Sequence, residues 1–230
     1  MTESHAHSAD EYLMTIYLLA HPVGEYLPSR SGQQPTVAAR IADQLHVSRA
    51  SVGEMLKRLE ADGMITRGEH KEALLTERGS ETAERIVRRH RLVERLLTDV
   101  MGYSAPEAHE KADGLDDGFD DEMIERLFEK LGRPERCPHG YPIDPALEKA
   151  ENPFLLPLDE APAGARAEVI RLAEHDGDLL RFFYDEAGLE PGTQLVVTTT
   201  GPDGVRVERG EDGPFELAPA QAQGVFVRLA

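Results

Sequence analysis

His90 and Glu94 stand four residues apart, a spacing that puts an imidazole and a carboxylate on one helix face about one turn apart. His109 and Asp113 repeat it, and Asp113, Asp116 and Asp117 continue at i, i+3 and i+4. Carboxylates so placed repel one another unless a cation, an arginine or open solvent relieves them. A solvated acidic face is one reading. The other is a divalent cation held by these groups together with Glu11 on the first predicted helix, and the combination of imidazoles with carboxylates favours it. Such donors suit Mn²⁺ or Fe²⁺ better than an ion that prefers soft ligands.

A second group of residues has the chemistry to meet DNA. Thr36 to Leu45 reads as a short amphipathic helix, and after a tight turn at His46-Val47, Ser48 caps another that runs through Val52, Met55, Leu56 and Leu59 to Gly63. Two short helices joined in this way form a helix-turn-helix, whose second helix presents its N-terminal residues to base edges. Arg49 stands there to read guanine or clamp phosphate, with Ser48 and Ser51 as phosphate donors and Arg40, Lys57 and Arg58 as neighbouring positive charge. Met64 to Arg67 and Ala73 to Thr76 read as two strands that complete a winged helix. Arg67, His70 and Lys71 on the wing either reach the DNA backbone or are simply solvated. A winged helix also serves as a protein-interaction module, which is the competing reading of a different class.

The elements that must hold these groups follow from periodicity. A first helix is predicted over Asp10 to Leu19 with Ser8 at its cap, then a loop over 22–35. A long helix is predicted from Thr76 to Met101, with two more over 104–115 and 120–131. The Pro-rich stretch from Gly132 to Pro162 reads as linker, and Arg166 to Glu174 and Leu179 to Ala187 as helical pieces. Leu195 to Thr199, Val205 to Glu208 and Val225 to Leu229 are alternating runs expected to build a small β-barrel. The expected architecture is mainly α with small β. It has a winged-helix domain over 1–79, a helical metal-binding and dimerisation domain over 80–145, a linker over 146–159 and an SH3-like barrel over 160–230.

Taken whole, a formal charge of −18 over 230 residues argues against nucleic acid. The charge is unevenly spread, however: residues 30–95 hold 13 basic and 10 acidic side chains, a net +3 within an acidic remainder. Basic reading head and acidic body are different objects. No stretch approaches the ~20 apolar residues of a membrane-crossing helix, and the first residues lack the basic start and apolar run of a signal peptide, so a cytoplasmic protein is expected. Cys137 is the single cysteine, which excludes an internal disulfide. A hydrolase built on the same metal ligands would need a substrate pocket and a nucleophile that the sequence does not supply, so neither an enzyme nor a small-molecule substrate is expected.

The chain resembles the diphtheria toxin repressor family of metal-dependent transcriptional regulators over nearly its whole length. The resemblance rests on Glu11-Tyr12-Leu13-Met14-Thr15-Ile16-Tyr17, on Ala39-Arg40-Ile41-Ala42 to Arg58-Leu59, on Leu75-Thr76-Glu77-Arg78-Gly79, on Arg89-His90-Arg91-Leu92-Val93-Glu94-Arg95-Leu96-Leu97 and on Cys137-Pro138-His139-Gly140-Tyr141-Pro142-Ile143. It implies a homodimeric repressor of metal-uptake and homeostasis genes that binds a palindromic operator when metal is present. It also implies that His90, Glu94 and His109 form the family's ancillary site, with Glu11, Asp113, Asp116 and Asp117 where the primary ligands lie. Iron-responsive members resemble Met at Glu11 and Cys at Asp113, Glu is usual at Asp116 and His at Asp117. Carboxylates at the first two positions harden the site toward manganese, with iron as the alternative. Cys137 and His139 make two ligands of a zinc site at best, so their stretch is expected to be a structural turn, and Glu174, His175, Asp176 and Asp178 lie near a stretch that donates ancillary ligands in related proteins, without a clean match.

Overall fold

The computed structural model describes residues 8–20, 37–69, 71–174, 177–210 and 213–230. The 22–35 loop, Thr36, His70, His175 and Asp176 lie outside them. The described chain forms two compact units that part inside one helix, between Val87 and Arg88. Among the described residues no helix is long and apolar enough to cross a membrane.

The first unit is the winged helix. Helix α1 (Ala9–Ala20) begins in a reciprocal cap: Ser8 Oγ accepts from the Glu11 amide at 3.1 Å, and the Glu11 carboxylate accepts from the Ser8 amide. Helices α2 (Val37–Gln44) and α3 (Arg49–Ala61) follow, then strands β1 (Ile65–Arg67) and β2 (Ala73–Leu75), paired antiparallel. Tyr12, Leu13, Ile16 and Tyr17 of α1 meet Ile41 of α2 and Val52, Leu56 and Leu59 of α3 in one core. The Thr76-Glu77-Arg78-Gly79 motif starts helix α4 (Glu77–Asp99): Thr76 Oγ1 accepts from the Gly79 amide at 3.0 Å and donates to the Gly63 carbonyl at 2.8 Å. A Cβ on Gly79 would lie 1.9 Å from the Met64 carbonyl oxygen, so only glycine lets helix and wing approach this closely.

The second unit starts with the C-terminal half of α4, which packs Leu92, Val93 and Leu97 against Ala108 and Ala112 of α5 (Ala105–Ala112) and Ile124 of α6 (Asp121–Lys130). Helix α7 (Pro145–Glu151), strands β3 (Leu156–Pro157) and β4 (Arg166–Leu172), and helix α8 (Gly177–Arg181) follow. Strands β5 (Gln194–Gly201), β6 (Gly204–Glu208) and β7 (Pro214–Leu217), helix α9 (Pro219–Gln223) and strand β8 (Val225–Leu229) complete the unit. The sheet runs β3-β8-β4-β5-β6-β7 with antiparallel neighbours, and encloses Val169, Leu180, Phe183, Val197, Val207 and Val225.

Two expectations change here. The stretch read as linker contains α7, capped by Asp144, and β3, which pairs with β8. Its prolines open helices and turns instead of keeping the chain apart; Pro145 sits in the first turn of α7, where a missing N–H costs nothing. Arg166 to Glu174, expected to be helical, is β4 and the residues after it. Ala167, Val169, Ile170, Arg171 and Leu172 are all buried because β4 lies between β5 and β8 with both faces covered, and such a run has no alternation to distinguish it from a buried helix.

Three arginines from separate segments converge on Glu151 at the end of α7: Arg136 and Arg171 at 2.6 Å and Arg228 at 3.1 Å. Burial would raise the Glu151 pKa, but hydrogen bonds from Arg136 and Arg171 bring it down from 4.5 to about 2. A carboxylate depressed on folding stabilises the fold above its unfolded pKa and loses that contribution as pH falls through the folded one. Glu151→Gln is therefore expected to cost about 2 kcal/mol at neutral pH. The gap to the unsubstituted chain should close between pH 4.5 and about 2, measured by urea unfolding at a series of pH values.

Candidate metal centre and nucleic-acid interface

The candidate cluster is built around one oxygen. Glu94 is fully buried on α4, and its Oε1 lies 2.9 Å from His109 Nδ1, 3.2 Å from His139 Nε2 and 3.3 Å from His90 Nε2. His90 is one turn back on α4, His109 is on α5, and His139 is in the Cys-Pro-His-Gly turn. The rings stand edge to face, His90 to His109 and His109 to His139 both at 5.6 Å. Asp116 Oδ2 reaches His90 Nδ1 at 3.4 Å from the other side, with Asp113 Oδ1 at 3.8 Å.

Asp113, Asp116 and Asp117 do not share a helix face, as their spacing suggested. Helix α5 ends at Ala112, Asp113 is its extended C-cap (ψ 119°), and Asp116 and Asp117 open a short 3₁₀ turn over Asp116–Gly118. The break aims Asp116 inward, buried, whereas Asp117 is half exposed and lies 3.5 Å from Arg89. Glu11 belongs to the first unit, where its carboxylate caps α1.

Three further groups join the cluster, two of them from the stretch expected to be only a structural turn. His139 is fully buried against Glu94, and donor atoms of Glu94, Cys137 and Glu174 all lie within 4.8 Å of one another. The turn that brings Cys137 and His139 here is pinned to β4: the Leu172 amide donates to the His139 carbonyl at 3.0 Å. Gly140 takes φ +91° with the Ile170 carbonyl oxygen only 2.0 Å from where a Cβ would sit. The Cys-Pro-His-Gly sequence was the available signal, but its partners lie 43 and 37 residues away at Glu94 and Glu174.

Charge is held in the cluster against burial. Burial opposes charge on His90, yet Glu94 and then Asp116 overcome it and hold its pKa well above the ordinary imidazole value. Burial likewise opposes charge on Glu94, and the imidazoles of His139 and His90 with the bond from His109 hold its carboxyl well below the carboxylate range. Burial pushes the Cys137 thiol well up, with Glu94 and Glu174 adding to it. Both ring nitrogens of His90 and of His139, and Oε2 of Glu94, are buried without an aligned hydrogen-bond partner. Buried polar atoms in native folds nearly always have one.

The exposed N-terminus of α3 is the nucleic-acid candidate. Ser48 Oγ caps the helix by accepting from the Ser51 amide at 3.1 Å and shares a hydrogen bond with Ser51 Oγ at 2.8 Å. Two hydroxyls that share one bond keep one O–H for a phosphate. Arg49, Ser51, Lys57 and Arg58 are exposed, while Arg40 on α2 is half-buried. On the wing, Arg67 leans 3.4 Å from Glu60, back toward α3.

A winged helix with an exposed basic reading edge, and a buried histidine–carboxylate cluster in a helical domain followed by a small barrel, are the parts of a metal-dependent transcriptional repressor. Residues 76–145 match the family described as "Iron dependent repressor, metal binding and dimerisation domain", 156–229 the FeoA domain and 31–72 the MarR family. The chain is 33% identical over 212 residues to the iron-dependent repressor IdeR of Mycobacterium tuberculosis, covering 87% of each, and 32% identical over 202 residues to the diphtheria toxin repressor of Corynebacterium glutamicum, covering 83% of each. Among solved structures it is similar to "T. acidophilum IdeR" (26% identity, TM-score 0.79, 98% of this chain and 100% of that one). It is also similar to a manganese-dependent transcriptional repressor in complex with manganese (26%, 0.77, 97% and 100%). This chain belongs to the diphtheria toxin repressor family of metal-dependent transcriptional repressors.

Proposed function

We propose that the chain is a manganese-activated, homodimeric, cytoplasmic repressor that binds a palindromic operator through Arg40, Ser48, Arg49, Ser51, Lys57 and Arg58. The observation that carries the metal part is the set of buried nitrogens and carboxylate oxygen around Glu94 that lack an aligned hydrogen bond. A divalent ion would give these donor atoms the common partner that their mutual geometry does not. His90, Glu94, His109, His139 and Asp116 are the residues to hold it, with Asp113 beside them and with Cys137 and Glu174 adjoining. Glu11 and Asp117 are proposed as ligands from the family resemblance and their carboxylate chemistry, not from a distance.

Manganese is preferred because Glu11, Asp113 and Asp116 offer hard oxygen donors. Iron is the second reading, favoured by the thiol of Cys137 near Glu94 and by the 33% identical relative named as an iron-dependent repressor. The chain's own part in activation is to exchange protons: His90 is held protonated by its acidic neighbours, and an imidazole must release that proton to ligate. Operator binding and ligation are then linked, each tightening the other by the same factor.

The test is operator affinity, by fluorescence anisotropy on a duplex selected from a random library, with Mn²⁺, with Fe²⁺ under anaerobic conditions and with chelator. Mn²⁺ is expected to tighten binding at least tenfold, about 1.4 kcal/mol of coupling. Equal affinity with and without either ion overturns the proposal, and activation by Fe²⁺ at the lower free concentration selects the iron reading.

A further inference from the structure

Next to His90 on α4 is a residue that the metal reading does not use. Arg91 is almost wholly buried, and its guanidinium is held on every side. Nη1 donates to the Pro142 carbonyl at 2.8 Å, Nη2 lies 2.6 Å from Glu174 Oε1 and 2.9 Å from Glu148 Oε2, Nε lies 3.4 Å from Glu174 Oε2, and the Tyr141 ring is 4.9 Å from the guanidinium carbon. Arginine and Glu174 thus meet fork to fork, the geometry that fixes a carboxylate in orientation as well as charge. Glu174, two residues past the end of β4, has its Oε2 3.8 Å from Cys137 Sγ.

We propose that Arg91 is a positioning residue of the metal centre, holding Glu174 aimed beside Glu94 and Cys137 as a preset ligand. The proposal rests on the reading of this cluster as a metal centre. Two buried carboxylates, Glu94 and Glu174, face one thiol, and a fixed two-point donor behind Glu174 keeps it from swinging away from Glu94. A guanidinium cannot leave by losing its proton, and the stack on Tyr141 with the bond to Pro142 keeps it from following the ion. Glu148 takes up the remaining charge on Arg91, so Glu174 is oriented without being neutralised outright. A buried ion pair is weak evidence for stability, since well-packed apolar groups do as well. Placement of a ligand is a role that apolar groups cannot fill.

The experiment titrates Co²⁺ into the full-length protein and follows both affinity and spectrum: the thiolate-to-cobalt charge-transfer band and the visible d–d bands, which report coordination number. Arg91→Lys keeps the charge but loses the fork. It is expected to weaken Co²⁺ binding about 10–100-fold, the range for removing the partner that orients a ligand, and to alter the d–d bands in the same way as Glu174→Gln. The double variant is expected to lose little more than either single one, since both remove the same ligand. Wild-type affinity and spectrum in Arg91→Lys, or tighter binding, overturns the proposal. An unchanged spectrum in Glu174→Gln overturns it too, but leaves the centre at Glu94 standing. A wild-type chain with no charge-transfer band that Cys137→Ser removes shows that the cluster itself is misread. Should Arg91→Lys not fold, Tyr141→Leu, which leaves every charge in place and removes the ring beneath the guanidinium, is read in the same way.

Discussion

Glu94→Gln is expected to abolish metal-dependent operator binding and to lower Mn²⁺ affinity of the centre by at least about 100-fold, beyond the range for an orienting partner. The substitution is nearly isosteric, so the loss is one of charge. Three imidazoles share this single oxygen, and an amide presents to them either a weaker acceptor or an N–H that none of them can accept while protonated. The change also weakens a pH dependence in the metal-free protein. His90 has its pKa raised by Glu94, so its contribution to stability is complete below the unfolded value of 6.5 and is lost as pH rises through the folded value. With glutamine at position 94 the largest raising influence is gone, and burial, which lowers the pKa, is opposed only by Asp116 and Asp113. The stability lost by the variant should accordingly be largest near pH 6, about 3 kcal/mol for one partner removed from a buried pair, and shrink as pH rises. Urea unfolding of the apo protein measures the second effect, and the electron paramagnetic resonance of free Mn²⁺ during titration measures the first. Unchanged Mn²⁺ affinity would remove Glu94 from the centre.

How much of this centre could be read from the chain depended on how far apart its parts lie. His90 and Glu94 are visible because a helix makes residues four apart into neighbours, and α4 with its apolar spacing runs nearly where it was expected. His109 was reachable through the same period on α5. Asp116 was named for a reason that does not hold, since the helix that was to carry it stops at Ala112; it reaches His90 because the chain turns there. His139, Cys137 and Glu174 depend on pairing between the turn and β4, a long-range contact with no period to announce it, and β4 was itself read as a helix. The barrel's outer strands were legible from alternation, and its central strand, covered on both faces, was not. The buried arginines had no local signature either: Arg91 reads as one of several charges along α4 until its partners arrive from Glu148 and Glu174.

Arg49→Ala is expected to weaken operator binding about 10–100-fold, by the same factor with and without metal, while leaving stability unchanged or slightly raised. Arg49 is a misfit where it stands. Arg49 is the first residue of α3, where the helix dipole is positive and a cation costs a few tenths of a kcal/mol, and it is exposed, with no apolar packing to compensate. A favourable N-cap is already supplied by Ser48, so the arginine adds nothing to the start of the helix. Its position is explained if its partner is a phosphate or a guanine edge, and a bidentate contact of that kind discriminates by about 1–3 kcal/mol. Anisotropy titrations at several salt concentrations separate the two: a phosphate contact lowers the slope of log affinity against log salt by about one, whereas a base contact leaves the slope and relaxes sequence preference at one position. Ser48→Ala cannot make this distinction, because it also removes the cap and about 1 kcal/mol of helix stability. If Arg49→Ala weakened binding only in the metal-bound state, the residue would belong to the switch and not to the reading edge; if operator affinity were intact, α3 would not be the helix that reads DNA.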